Sequence, residues 1–406
     1  MTVSDFETFK TEFFGQLLKE NKKCLKIIDD NSKVVEFYLN SKGITYVKIF
    51  VNDFNNAVLN PRFEKFKLLK DVLYHPLLTS VLSQFRESDV LIKACKRVNR
   101  RAIEWLLTMD MNLGVQDEFG RTVLLYAVKE PVLDIVVKKV MKSNEDIIHK
   151  VDNKGNNALF YATENMITFR NFLKYKDVFD FNYKNYDNEN LLMYSCRYGN
   201  INSEEYFNYL CKFVKVDPYY VNIEGKTIAM YLAEHFKYRQ LRSIVKEYNI
   251  DPNFKTKRGH TLVNCVIKKY YQTYIKKITD TKGFGLNFQF FKSALITFVT
   301  LVELGCDINE PIDEDGTTMT IILLKLRDGV TYNYLISKGA KEYPLLVEDN
   351  LNPYEKYPGV DITNPIIQEN VKTSQKWLKQ GLIDNNSPML AKYSELINKN
   401  WFFNVI

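Results

Sequence analysis

The residue types that could do chemistry are present in this chain, but their spacing matches no known catalytic pattern. The histidines are isolated in sequence and form neither H-E-x-x-H nor a Cys/His spacing that binds zinc; they are His75, His149, His235 and His260. Cys196 precedes Arg197, a neighbour that could lower a thiol pKa and create a nucleophile. Its place inside an apolar helical segment favours a packed structural thiol instead. We therefore predict a chain that is not an enzyme and has no catalytic residue, cofactor site or metal site.

Composition predicts a folded protein in a reducing compartment. Hydrophobic residues make up 46% and charged residues 26%, which is typical of folded chains. The six cysteines are scattered without a CxxC pair, so we expect buried, reduced thiols. The acidic N-terminus does not resemble a signal peptide, and the longest apolar stretch, 294–305, is too short to cross a bilayer. We expect no transmembrane segment and a cytoplasmic or nuclear location. The net charge of +7 permits an acidic partner without requiring a polyanion.

One short motif recurs through the chain and gives it a period. The stretch DEFGRTVLLYA at Asp117 returns as DNKGNNALFYA at Asp152, and four shorter copies follow. Aligning the six copies gives an anchor column of Gly120, Gly155, Asn188, Gly225, Gly259 and Gly316. The spacings are 35, 33, 37, 34 and 57 residues, so the last interval contains one period and an insertion.

Each column of the alignment has a structural reason. Glycine and asparagine at the anchor tolerate a left-handed turn. Three residues earlier stand side chains able to close that turn, namely Asp117, Asp152, Asn185, Asn222, Thr256 and Asp313. Two residues after the anchor stand N-cap residues, namely Thr122, Asn157, Asn190, Thr227, Thr261 and Thr318. A helix with a column of Tyr126, Tyr161, Tyr194 and Tyr231 follows, and then a second helix.

This unit resembles the ankyrin repeat, a roughly 33-residue unit that carries T-P-L-H-x-A. The resemblance covers 120–340, with an atypical first unit at 88–112, although no copy keeps the proline or the histidine. It implies an all-α, ankyrin-type helical solenoid of about six to seven repeats, with short β-hairpin turns and helical flanking caps. A TPR or HEAT solenoid is the alternative, but those repeats lack the D-x-x-G turn.

Three regions follow from the extent of the repeats. We predict an N-terminal helical region at 1–87, a repeat array at 88–343 with an insertion at about 267–291, and a linker with a C-terminal helical cap at 344–406. The first region is either a cap for the array or a small separate domain. Its segment 44–51 is either a strand or part of a helix.

The insertion has two interpretations. Lysines alternate with aromatic residues in it, at Lys268, Lys269, Lys276 and Lys277. This pattern is typical of a docking element for an acidic partner or a nucleic acid, but also of an extended helix with a solvated lysine face and a loop.

The resemblance implies a protein-binding surface, because repeat arrays present concave faces lined by turn tips. The tip positions are Glu118, Phe119, Asn153, Lys154, Tyr186, Asp187, Ile223, Glu224, Lys257, Arg258, Glu314 and Asp315. Phe119, Tyr186 and Ile223 are apolar or aromatic there, so they either anchor a partner or pack on a neighbouring tip. We predict a non-catalytic adaptor or scaffold that binds another protein, as a monomer or within a hetero-complex. The alternative is binding of nucleic acid or an anionic surface through 268–282.

Overall fold

The computed structural model describes residues 2–198, 204–279, 288–313, 316–326 and 328–341. The chain divides after Tyr186 into two compact units, each of which is described by itself. The predicted linker and cap at 344–406 lie outside the described residues, as do Glu314 and Asp315. Every regular element of the described residues is a helix, and none is a β-strand.

Besides a π-helical segment at Glu36–Ser41 and a 3₁₀ turn at Pro76–Leu78, six α-helices open the first unit. They are α1 (Val3–Leu17), α2 (Lys23–Asp30), α3 (Ser32–Val35), α4 (Ile44–Val58), α5 (Phe66–Leu73) and α6 (Thr79–Arg86). The ambiguous segment 44–51 is thus helical, because Val47, Phe50 and Phe54 repeat at helical spacing and are all buried. The ring of Phe50 packs on Phe13 of α1 with centroids 5.2 Å apart.

The opening helices pack directly on the first repeat of the same unit. Trp105, on the second helix of that repeat, lies between Phe66 and Phe85, with ring centroids 5.5 and 6.0 Å away. Asn99 donates from its amide to the Leu59 carbonyl at 3.3 Å. These contacts favour a cap over a separate domain, and the boundary near residue 87 stays a prediction.

Helix pairs at the predicted period fill the rest of the described chain. The first unit contains α7 (Val90–Lys96) with α8 (Arg100–Leu106), α9 (Val123–Ala127) with α10 (Asp134–Val140) and the short α11 (Glu145–Ile148), and α12 (Ala158–Ala162) with α13 (Met166–Phe172). The second unit contains α14 (Leu191–Tyr198) with α15 (Glu204–Cys211), α16 (Ile228–Glu234) with α17 (Tyr238–Glu247), α18 (Leu262–Thr279) with α19 (Phe288–Leu304), and α20 (Met319–Lys325) with α21 (Gly329–Ile336). The described residues therefore include seven helix pairs.

The left-handed anchor column is present in every turn. The φ angles are positive at Gly120, Gly155, Asn188, Gly225, Gly259 and Gly316. The turn closer acts as predicted, since one carboxylate oxygen of Asp117 accepts the N–H groups of Phe119 at 3.0 Å and Arg121 at 2.9 Å. The two arms of this turn share one backbone bond, from Asp117 N–H to Arg121 O at 3.1 Å. The predicted hairpins are therefore tight turns whose arms are too short to form strands in the described chain.

The predicted N-cap residues stand where predicted, but not all of their side chains accept a capping hydrogen bond. Asn157 accepts the N–H groups of Leu159 and Phe160 at 3.0 and 3.3 Å, and Thr227 accepts that of Met230 at 3.3 Å. Thr122 stands at the N-cap with extended backbone, yet its buried hydroxyl makes no hydrogen bond. A side-chain cap was therefore the wrong prediction at Thr122.

The insertion lengthens both helices of one repeat. α18 has 18 residues and α19 has 17, whereas the other helices of the repeats have between four and ten. Lys268 is exposed and Lys269 is half-buried on α18. The side chains of Lys276 and Lys277 and all of 280–287 lie outside the described residues.

Candidate binding surface at the repeat turns

Backbone hydrogen bonds join the tips of successive turns within each unit. In the first unit, Asn153 N–H donates to Phe119 O at 2.9 Å, and Tyr186 N–H donates to Lys154 O at 2.9 Å. In the second unit, Ile223 N–H donates to Asp187 O at 3.0 Å. In these three turns, the N–H of the residue after the turn closer donates to a carbonyl of the preceding tip. This tip ladder holds each tip at a fixed distance from its neighbour.

The three apolar tip residues are all exposed. Phe119 is 48% exposed, Tyr186 is 66% exposed and Ile223 is 55% exposed. Neighbouring groups restrict the two aromatic rings. The Arg121 guanidinium lies 4.7 Å from the centroid of Phe119, and the Tyr186 ring lies against the backbone of Gly155. Packing on a neighbouring tip therefore occurs, and it leaves about half or more of each side chain open to solvent.

A shallow cleft opens beside Tyr186 in the first unit. Its volume is about 710 Å³, and its lining includes His149, Lys150, Asn153 and Tyr186. Gln116 also lines the cleft, and its amide donates to the Val151 carbonyl at 2.9 Å. The exposed aromatic ring can insert into a partner, and the recess beside it can receive a side chain of that partner.

The tyrosine column connects the first helices to the turn closers. Tyr126 donates its hydroxyl hydrogen to Asp117 at 2.8 Å, and Tyr161 donates to the buried Asp152 at 2.7 Å. In the second unit, Tyr231 donates to the buried Glu189 at 2.7 Å and accepts from the Asn222 amide at 2.9 Å. These bonds fix each turn to the helix that follows it. The repeated tyrosine was the sequence signal for them, although its partner was not predicted.

Cations at the C-terminal ends of the first helices or just after them are already paired. The Lys96 ammonium lies 4.9 Å from the centroid of Tyr126 in the next repeat and 2.9 Å from Asp117. The Lys129 ammonium lies 5.4 Å from the centroid of Tyr161 and 2.6 Å from Glu164. These charges brace the array itself.

The same pairing occurs in the second unit. Arg197 lies 5.4 Å from the centroid of Tyr231 and 2.8 Å from Glu189. In the first unit, burial would raise the pKa of Asp117, but the hydrogen bonds from Lys96, from backbone N–H groups and from Tyr126 outweigh it and lower that pKa. The turn closer is therefore held ionised.

The polar tip residues differ in the contacts that their side chains make within the protein and in their exposure to solvent. Asn153 donates from its amide to the Glu118 carbonyl at 3.0 Å, and Lys154 is exposed. In the second unit, Asp187 is half-buried, and Glu224 lies 3.1 Å from Lys226 and 3.6 Å from Arg197. Lys257 and Arg258 are exposed in the turn closed by Thr256.

The thiols show no sign of activation. Burial raises the pKa of Cys95 to about 12, and burial also raises the pKa of Cys196 despite the nearby Lys237. Cys196 is thus a packed thiol. Of the residues described, no group of three or more His, Cys, Asp or Glu side chains is placed to hold a metal ion. No helix in the described ranges is long and apolar enough to span a membrane.

Comparison with known proteins identifies the class that these turns and helix pairs define. Residues 91–185 match the family described as ankyrin repeats (3 copies). Ankyrin repeats are thus recognised in this part of the chain. No curated protein sequence matches the chain.

Two solved structures show low-level similarity. The structure of the predatory endopeptidase Bd0816 of Bdellovibrio bacteriovorus with the immunity protein Bd3460 contains a chain that is 19% identical, with a TM-score of 0.36; the match covers 46% of this chain and 94% of that one. The ankyrin repeat domain of Bcl-3, a member of the IkappaB protein family, is 16% identical, with a TM-score of 0.37; the match covers 57% of this chain and 92% of that domain.

Proposed function

We propose that this chain is a non-catalytic adaptor or scaffold that binds another protein through the tips of its repeat turns, in the cytoplasm or nucleus. The observation that carries the proposal is the exposure of Phe119, Tyr186 and Ile223 on tips that are braced by hydrogen bonds. Buried aromatic anchors supply a large share of the free energy of binding at protein interfaces.

The tip ladder makes these side chains suitable anchors. Ordering a mobile loop opposes association, because the lost conformational entropy subtracts from the binding free energy. Phe119 and Tyr186 sit on turns that are already fixed by backbone bonds and turn closers, so binding orders little more than their side chains. The cleft beside Tyr186 adds a concave element to the surface.

The first helices fit a supporting role better than a binding role. Lys96 and Arg197 on these helices, and Lys129 just after one of them, already pair with carboxylates and tyrosine rings of the array. A partner would have to break these contacts in order to use the charges. The tips offer exposed apolar side chains that a partner can contact without breaking these ion pairs.

A matched pair of triple variants tests the proposal. Phe119→Ser, Tyr186→Ser and Ile223→Ser together remove the apolar tips. Val132→Ser, Ile135→Ser and Ile167→Ser remove three apolar residues of comparable exposure, 50%, 47% and 58%, near the second helices. Each full-length variant is used as bait in the source cell, and captured proteins are quantified by mass spectrometry against wild type.

The tip variant is expected to lose its main partner by about tenfold or more, since each anchor contributes on the order of 1–2 kcal/mol. The control variant is expected to keep it, and both variants should retain the far-UV CD melt of wild type. Undiminished capture by the tip variant, or loss confined to the control, would contradict the proposal.

A further inference from the structure

The turn closed by Thr256 in the second unit departs from the tip ladder. In the two Asp-closed turns of the first unit the closer accepts the second tip N–H, from Phe119 at 3.0 Å and from Lys154 at 2.8 Å. The shorter Thr256 hydroxyl accepts only the N–H of His260, at 3.2 Å. Within the described residues, the N–H groups of Lys257 and Arg258 have no hydrogen-bond partner. Two successive N–H groups on a tip can donate hydrogen bonds to an anionic oxygen.

A side chain replaces the missing step of the ladder. The His260 ring donates from Nε2 to the Glu224 carbonyl at 3.1 Å, where other turns use a backbone N–H. Burial, followed by the charges of Lys226 and Lys268, lowers the pKa of His260. The imidazole is therefore neutral near pH 7, and the positive charge of the turn comes from Lys257 and Arg258.

Both cations of this turn are exposed and uncompensated by any described side chain. Some other cations near the turns of the second unit are paired, namely Lys226 with Glu234 at 2.6 Å and Lys255 with Glu310 at 3.4 Å. No ion pair or side-chain hydrogen bond of Lys257 or Arg258 occurs across the described part of the chain. The methylene groups of Arg258 lie against Gly225, whose added Cβ would be 2.7 Å from Arg258 Cδ. This contact fixes the stem of Arg258 beside the turn that carries Ile223.

The combined surface, called here the basic tip, consists of Lys257, Arg258 and the neighbouring Ile223. Its charge is local, because Asp187 and Glu224 occupy the preceding tips of the same unit. A nucleic acid carries a phosphate at every nucleotide and is bound by cations spread along its path, whereas only Lys257 and Arg258 are cationic among the described tips of this unit. It would also need aromatic side chains for base stacking, and the described tips from Asp187 to Arg258 carry none. A protein segment can place carboxylates at one end and an apolar side chain at the other.

We propose that the basic tip binds an acidic segment of a protein partner, with its Asp or Glu carboxylates on Lys257 and Arg258 and an apolar residue on Ile223. This inference rests on the proposed function and specifies the chemistry of the partner. It concerns the second unit alone, so the tips of the first unit can bind a partner whether or not this inference holds.

Peptide display on the full-length protein tests the inference. A random twelve-residue library is selected on wild type, and enriched peptides are compared by sequence and then measured by fluorescence anisotropy. The variant pair is Lys257→Glu with Arg258→Glu. The matched control is Lys212→Glu with Lys246→Glu, which makes the same change in net charge at two exposed lysines of the same unit, one just after α15 and one on α17.

We expect peptides with clustered Asp or Glu next to an apolar residue, bound about tenfold or more weakly by the tip variant and within about twofold by the control. Their affinity should fall as salt rises, because exposed ion pairs are screened. Selection without acidic enrichment, or binding that survives the tip reversal, overturns the inference. Preferential binding of a single-stranded oligonucleotide, lost in the tip variant, would overturn it in favour of nucleic acid. If acidic peptides fail while the apolar tip variant still loses its cellular partner, the inference falls and the proposed function stands.

Discussion

Substituting the anchor glycines by alanine separates backbone strain from the packing of neighbouring tips. Gly155 and Gly259 both have φ of +78°, so alanine meets the same left-handed penalty at each, about 1–2 kcal/mol. The loss of unfolded-state freedom offsets about 0.4–1 kcal/mol at both sites. These two contributions cancel when the variants are compared.

The surroundings of the two positions differ. A Cβ on Gly155 would lie 2.7 Å from Tyr186 Cδ1 and 2.8 Å from Tyr186 N, whose N–H is held by Lys154 O. A Cβ on Gly259 meets only Lys255 Cε, at 3.8 Å. We expect Gly155→Ala to destabilise its turn by about 1–3 kcal/mol more than Gly259→Ala does, because backbone overlap cannot relax cheaply.

A third variant calibrates the series. Gly225 has φ of +81°, and its added Cβ would meet Arg258 Cδ at 2.7 Å, which is part of a flexible side chain. Gly225→Ala should therefore fall between the other two. Native-state hydrogen exchange at the first helix after each turn gives the local opening free energies. Equal losses at Gly155 and Gly259 would refute the close packing of tips.

Two further predictions concern the bonds that hold the turns. Tyr161→Phe should lower the free energy of unfolding by about 1–3 kcal/mol, because the buried Asp152 loses a donor; urea titration measures it, with the exposed Tyr186→Phe as a control expected within about 0.5 kcal/mol. The pKa of Asp117 is lowered in the folded state, so its contribution to stability is present above the unfolded pKa of about 3.9 and is lost as pH falls through the folded value. The urea midpoint should therefore decline more steeply between pH 5 and pH 2 for wild type than for Asp117→Asn. Parallel curves would show that Asp117 does not contribute to the acid sensitivity of the fold.

Most of the turn architecture could be predicted because it depends on local chemistry. A left-handed residue, a closer three residues earlier and a cap two residues later act within one short segment. Asn188 shows this well, since its φ of 58° matches the glycine column that it joins. The failed cap at Thr122 shows the limit. Residue type permits a hydroxyl cap, but rotamer and packing decide whether the bond forms.

Contacts between repeats required the structure. The tyrosines were visible as a column, but the bond from Tyr161 to Asp152 depends on how the helix folds back over its turn. Likewise, the position of Lys129 over Tyr161 depends on the stacking of two repeats. The sequence also could not predict that Lys257 and Arg258 have no ion-pair partner among the described side chains. It shows where cations lie along the chain, but not which of them are paired.

Site-specific photocrosslinking would show directly whether the turn tips contact the partner. A photoreactive amino acid placed singly at Phe119, Tyr186 or Ile223, and at Lys138 or Lys246 on second helices as controls, reports contact without removing a binding residue elsewhere. We expect covalent adducts with one partner protein at the tip positions and none at the controls. Adducts confined to Lys138 or Lys246 would contradict it.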